Sequence, residues 1–451
     1  MRCSIVAALL ALAPLLSIAS AQLSGRVGPL TSICKKTTIC NVLDYGAKAD
    51  GVTDIGPAIL SAFTNCVLKN NASTLYVPPG NYAMATWVTL RNGNTWAFQM
   101  DGIITRTGTA GGHMIIVQGG SDFEMFSKTR AGAFQGAGVD FHKQGLHIYG
   151  PRILRIVKVA NFCLHDLGFF DSPAFHVILD NVSNGQVYNV LIRGHDEGGL
   201  DGLDVTCNNC HIQNIQVTNR DECVCVKSPS SNLLIEDVFC NQSGGMSMGS
   251  FNGSTAVENV YMRNIVSYYS TQFLMIKTYP NGNGYVRNCR FENFRGFTNA
   301  YALQITQYWQ NSGANLAQDL SGVQLSNLTF TNWVGVSTDA NSRAPVFLSC
   351  STPNPCVQIN VGADVLFWDP SHAMTAYKCV SAYGTGVPCF PALAAGKTPA
   401  SYVAQTTTVK TVPAGWAQST VPTGALASGF PLTSPIPVEP LPWPQLHFPA
   451  C

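Results

Sequence analysis

The sequence predicts an all-β chain wound as a parallel β-helix, and three observations carry that prediction. A loose repeat of Asn or Asp followed by alternating apolar residues recurs from about residue 153, at Asp166, Asn189, Asn214, Asp237, Asn264, Asn293 and Asn327. Its intervals of 23 to 34 residues suit one strand-rich coil each. A single helical stripe precedes this long run of strand-like sequence. The chain is also too long for one ordinary core, whereas a solenoid escapes that limit by growing along one axis. A β-sandwich is the rival, but its strands would recur more tightly, about every 8 to 12 residues.

From the N-terminus, Met1 to Ala21 carries Arg2, an apolar run from Ile5 to Ile18 and Ala19-Ser20-Ala21. This reads as a secretory signal peptide, too short to span a bilayer. The remaining residues are expected to be secreted, with no other run apolar enough for a membrane helix. Five sequons, at Asn71, Asn181, Asn241, Asn252 and Asn327, agree with an extracellular setting. Next, Asp54 to Val67 places Ile55, Ala58, Ile59, Ala62, Phe63, Cys66 and Val67 on one helical face. Thr53 or Asp54 can cap this helix and Pro57 falls in its first turn. Such a helix suits the open end of a β-helix, where unpaired backbone groups need cover. Leu75 to Tyr82 then reads as the first strand and turn.

Residues 22–390 are assigned to the β-helix and residues 391–451 to a tail. Twelve of the 25 prolines lie from Pro388 onward, a change of composition that sets this stretch apart. Thr- and Ala-rich sequence permits a disordered or O-glycosylated tail. Trp416, Phe430, Trp443 and Phe448 favour instead an extended segment packed along the outside of the helix. Sixteen cysteines include Cys3 in the leader, leaving fifteen, and an oxidising compartment makes disulfides the expected use of most. Cys207-x-x-Cys210-His211 followed by Cys223-x-Cys225 could suggest zinc, but alternation would point Cys223 and Cys225 the same way while Val224 and Val226 pack. No metal and no cofactor is inferred. The net charge of +1 does not suggest nucleic acid.

The chemistry concentrates between Leu200 and Ser250. Only 11% of residues are charged, yet Asp201, Asp204, Asp221 and Glu222 fall within 22 positions. Asp201 precedes Asp221 by 20 residues, an interval that fits one coil. Equivalent positions of parallel coils stack about 4.8 Å apart, so Asp201 and the Asp221–Glu222 pair would occupy neighbouring rungs. Crowded carboxyls raise at least one pKa, leaving one acid protonated while another is ionised. Glycoside hydrolysis needs that division: one acid protonates the departing oxygen and one carboxylate activates water. Because Asp221 and Glu222 are consecutive, both can face one cleft only if the chain bends or bulges at Arg220 to Glu222.

These residues resemble the pectin-degrading glycoside hydrolases of the polygalacturonase family, whose pattern runs Asn-Thr-Asp, Asp-Asp, Gly-His-Gly and Arg-Ile-Lys. Here the corresponding stretches are Gly199-Leu200-Asp201, Asp221-Glu222, Gly244-Gly245 and Met275-Ile276-Lys277. The acids and the lysine are kept, and the histidine and arginine are not. That combination is similar to the fungal rhamnogalacturonan hydrolase branch. The resemblance runs from about Gln22 into the tail.

It implies a right-handed parallel β-helix of the pectin-lyase-like type and a monomeric, endo-acting hydrolase. Its partner would be an acidic polysaccharide, the rhamnogalacturonan region of pectin, cut between galacturonic acid and rhamnose by single displacement with inversion. Asp221 would be the general acid, Asp201 and Glu222 would jointly activate water, and Lys277 would meet a galacturonate carboxylate. Asp204 reads as a turn or supporting residue, and His195 and His211 as ordinary polar residues. The resemblance pairs Cys40 with Cys66, Cys223 with Cys240, Cys350 with Cys356 and Cys379 with Cys389. An exo-acting relative, a polysaccharide lyase and a non-catalytic glycan-binding β-helix are the alternatives.

Overall fold

The computed structural model describes residues 22–108, 110–145, 151–309, 321–338, 343–391, 404–418 and 436–443. The proposed leader, residues 1–21, lies outside them, as do Phe430 and Phe448 of the tail. Among the described residues no helix is long and apolar enough to cross a membrane.

The expected helix spans Gly56–Asn65, with a short 3-10 turn Val67–Lys69 after it. Ile55, Ala58, Ile59, Ala62 and Phe63 turn into the core. Asp54 accepts the Gly56 amide at 3.0 Å, satisfying one of the donors a helix start leaves open. Strands begin earlier than the sequence suggested: Thr38–Asn41 and Asp50–Asp54 already pair with later coils, so Ser73–Val77 is not the first. Short Asp- and Gly-containing strands give little alternation to read.

The coils pair in parallel in three stacks. The first runs through His113–Gln118, Arg152–Val157, the starts of Val177–Arg193 and Leu203–Thr218, then Glu222–Val226, Gly245–Phe251, Gln272–Thr278 and Tyr301–Thr306. The second and third stacks use the middle and end of the long strands, with Val187↔Ile212↔Ile235↔Met262 in one and Val190↔Ile215↔Val238↔Ile265 in the other. Inward Val, Ile, Leu, Met and Phe side chains form one continuous core along the axis.

Corners between the stacks explain the repeat. Asn189 donates to Asp166, Asn264 to Asp237, Asn293 to Asn264 and Asn332 to Asn293, each from one coil to the one before. All these residues have φ near +55°, a left-handed conformation that Asn and Asp tolerate best among residues with a side chain. Asn327 does not belong to this ladder. It donates to Asn288 in a parallel ladder five residues earlier on each coil, so the last interval is 39 residues, from Asn293 to Asn332. Two similar ladders so close together hide the true register from sequence alone.

Disulfides join Cys40 to Cys66, Cys223 to Cys240, Cys350 to Cys356 and Cys379 to Cys389. Cys207 and Cys210 join each other, so neither is a thiolate ligand. Cys34 is also disulfide-bonded, and Cys163, Cys225 and Cys289 are buried thiols. Of the tail, Val438, Leu441 and Trp443 pack against Ala133, Phe170 and Leu191, and the Trp416 indole donates to Gly335 O at 3.0 Å. Residues 436–443 and Trp416 thus lie along the third stack, whereas Gln405–Val409 adds an antiparallel strand to Thr375–Val380, which continues the first.

On the third stack, Gly296 and Gly335 leave space for the buried Phe273 ring. A Cβ at Gly296 would lie 1.4 Å from Phe273 Cζ. Gly296→Ala should therefore destabilise by about 1–3 kcal/mol or more, measured by urea unfolding, with Phe273→Leu in the same chain recovering part of the loss.

Candidate active site

The acids collect where the third stack hands the chain back to the first. Asp201 ends the loop 194–202, and Gly202 N donates to Glu222 O at 2.8 Å on the next coil. Asn219 Nδ2 bridges the same two coils, donating to Leu200 O at 2.7 Å and Glu222 O at 3.0 Å. Behind Asp201, His176 donates its backbone N–H to Asp201 O at 2.9 Å, and its ring Nδ1 lies 3.2 Å from the same oxygen. Burial pushes the His176 ring down to about 4, so it braces the loop as a neutral imidazole.

Asp221 sits in a bend just before the strand Glu222–Val226. Its carboxylate accepts Gly199 N at 2.6 Å and Glu222 N at 2.9 Å. Gly199 reaches this position with φ +76°, a left-handed conformation natural to glycine. The consecutive acids share the cleft because the chain bends through Asp221 and then bulges: Glu222 pairs with Gly245 and Cys225 with Ser247, three steps against two. The expected bend is therefore present, followed by a bulge one step later, and the bulge corrects the alternation that would have pointed Cys223 and Cys225 the same way. Cys223 and Val224 both enter the core, while Cys225 Sγ turns to Gly249 O at 3.0 Å. The coil opposite Glu222 carries Gly245, where a Cβ would meet Gln272 O at 1.9 Å, so no side chain can stand at this position.

Carboxylate oxygens of Asp201, Asp221 and Glu222 lie within 4.8 Å of one another. Burial, then the hydrogen bond and charge of Glu222, pushes Asp221 up to about 7. Burial acts on Glu222 in the same sense, but the Asp221 hydrogen bond and the charges of Lys277 and Lys227 outweigh it and hold Glu222 well below the usual carboxylate range. Asp201 is raised by burial and by the neighbouring charges of Asp204, Glu222 and Asp221. The site thus holds a partly exposed protonated acid beside a buried carboxylate.

Lys277 Nζ forms an ion pair with Glu222 and lies 4.4 Å from the centre of the Trp309 ring. Among the described residues, the three acids are the set whose oxygens could share one cation. Lysine ammoniums already contact the Glu222 and Asp201 oxygens, so the donor set fits shared protons and ammonium groups better than a divalent ion.

The structure brings together Asp201, Asp221, Glu222 and Lys277, but not the nearby histidines. His211 lies on the second stack, 2.7 Å from Glu236, and His195 acts on Asp171 instead. Asp204 is not a turn residue: it is buried in the strand Leu203–Thr218, opposite Cys225. Two further groups escaped the sequence reading. Lys227 lies 3.7 Å from Asp201 and 3.5 Å from Asp204, and Trp309 backs Lys277. The available signal for Lys227 was a cation closing the apolar run Cys223-Val224-Cys225-Val226.

Residues 70–378 match the model of Glycosyl hydrolases family 28, and residues 39–96 match Rhamnogalacturonase A/epimerase, pectate lyase-like. Rhamnogalacturonase A of Aspergillus aculeatus is 45% identical over 96% of this chain and 96% of its own length. Probable rhamnogalacturonase B of Neosartorya fischeri is 45% identical over 96% of this chain and 81% of its own. Endo-xylogalacturonan hydrolase from Aspergillus tubingensis shares the fold, with a TM-score of 0.62 at 22% identity, covering 74% of this chain and 94% of that one. With the match extending over most of the coils that build the acid cluster, the chain belongs to family 28 of the glycosyl hydrolases.

Proposed function

We propose that this chain is a secreted, monomeric, endo-acting rhamnogalacturonan hydrolase that cuts galacturonic acid–rhamnose bonds in pectin. The observation that carries the chemistry is the pairing of a protonated, partly exposed Asp221 with an ionised Glu222 inside one group of acids. The names of the relatives, aligned along nearly the whole chain, support the substrate. All the acids come from one chain, which suits a monomer, and the disulfides suit an oxidising, extracellular compartment.

In this reading Asp221 gives its proton to the departing glycosidic oxygen. Glu222 and Asp201 orient a water and take its proton as it attacks the anomeric carbon. Lys277, held against Glu222, offers its remaining N–H groups to a galacturonate carboxylate. Inverting enzymes commonly separate their carboxyls by about 6.5–9.5 Å, and these stand closer. That spacing describes two carboxyls facing each other across a sugar ring. Here the acids are stacked on adjacent rungs of one wall, and single displacement still requires the activated water to reach the anomeric carbon from the face opposite the leaving oxygen.

The test is digestion of de-acetylated rhamnogalacturonan and, separately, polygalacturonic acid, with product sizes, ultraviolet absorbance and NMR of the first-formed anomer. Short oligomers from the first substrate alone, saturated and with inverted configuration, are expected. Monomers would mean an exo enzyme, unsaturated ends a lyase, and retained configuration a covalent route. Of the sequons, Asn71, Asn181, Asn252 and Asn327 are exposed, whereas Asn241 is only 1% exposed and cannot accept a glycan in the folded chain.

A further inference from the structure

We propose that Lys227 and Asp204 are positioning residues that govern the charge on Asp201, and that the centre is electrically neutral when it holds two protons, one on Asp221 and one shared between Asp201 and Asp204. This deepens the hydrolase reading and rests on it for its kinetic part.

Four carboxyls, Asp201, Asp204, Asp221 and Glu222, converge here with two ammonium groups, Lys227 and Lys277. Buried charge is expensive unless paired, so two cations support two carboxylates. Lys277 is committed to Glu222. Lys227 Nζ stands between the other two, 3.7 Å from Asp201 Oδ2 and 3.5 Å from Asp204 Oδ1, and can neutralise only one charge on the pair. Asp201 and Asp204 are both buried and face the same ammonium, so two charges on the pair would leave one unpaired, and one of the two carboxyls therefore holds a proton.

Of the other groups near the pair, two are neutral and one is a more distant cation. Burial keeps the Cys225 thiol neutral, pushed up to about 12, and His176 is neutral. Arg152 adds a half-buried positive field from two coils away, over the Phe175 ring at 4.9 Å. The single ionised carboxylate of the pair is what lets Asp201 take a proton from water. Lys227 maintains it.

The two substitutions should act in opposite directions. Lys227→Met leaves the pair without its cation, so both members protonate. The acid limb of the kcat profile should then move up by about one pH unit or more, and kcat at the acidic side should fall by about tenfold or more. Lys227→Arg should restore most of that shift. Asp204→Asn leaves Lys227 to Asp201 alone, and the acid limb should move to lower pH. A readout independent of substrate is the pH dependence of urea stability. Lys227→Met holds an extra proton in the folded state, so its stability should fall more steeply than that of the unchanged chain as pH rises from about 4 to 8.

Limbs that stay in place, or move the same way in both variants, would overturn the proposal, and so would an unchanged stability slope in Lys227→Met. If no pectin substrate is cleaved at all, the hydrolase reading fails and the stability slopes alone decide the proton count.

Discussion

Asp221→Asn is expected to lower kcat by about 10²–10⁴ while leaving KM nearly unchanged, because the amide keeps the shape of the carboxyl but has no proton to give to the glycosidic oxygen. A substrate with an aryl leaving group departs without that proton. On such a substrate the variant should retain much of its rate, and equal losses on both substrates would refute the general-acid role. The same substitution should stabilise the fold at high pH. Asp221 is raised to about 7 from an unfolded value of about 3.9, so its favourable contribution is fully present below the unfolded pKa and is lost as pH rises through 7. Urea unfolding at about pH 8 should therefore find Asp221→Asn more stable than the unchanged chain, with little difference near pH 4. A burden of this sign is expected where a carboxyl is held protonated for catalysis.

Lys277→Met is expected to reduce kcat more than it raises KM. Its ammonium is paired with Glu222 and backed by Trp309, so its removal strips the buried carboxylate of its nearest cation. Truncating one partner of a buried pair costs roughly 3–5 kcal/mol, a loss limited here because Glu222 can take up a proton. Glu222 is held below its unfolded value of about 4.3, so its stabilising contribution is present above that pH and is lost as pH falls through the folded pKa. The destabilisation by Lys277→Met should thus be largest near neutral pH and diminish progressively below about pH 4, and the acid limb of the kcat profile should move upward. An increase in KM alone, with kcat, the profile and stability unmoved, would make Lys277 only an anchor for the galacturonate carboxylate.

The capping helix and the coil period were legible because each has a local cause: an apolar stripe, and Asn or Asp at corners that need φ above zero. The cysteine pairings came from the resemblance alone, because connectivity depends on which coils meet. The acids were legible because carboxyls are scarce in this chain and 20 residues is about one coil, which places Asp201 beside the Asp221–Glu222 pair. Lys277 was found by resemblance, but its contact with Glu222 depends on a side chain spanning two rungs, which no spacing in the sequence reveals. Asn327 shows the limit of a repeat: two ladders carry the same residue type, and only hydrogen bonds between coils tell them apart. Asp204 and Lys227 show the limit of a motif. Read singly, an Asp near a glycine suggests a turn and a terminal lysine suggests a solvated strand end.

The sequence by itself therefore determined the coiled architecture and the identity of the acids, because periodicity and composition are properties of the chain. Which acid is protonated, where the bulge turns Cys225 out of the core, and which lysine serves which carboxylate were decided only by tertiary structure. Those outcomes depend on burial and on distances of a few ångströms between coils, and electrostatic energy at that range changes with each of them.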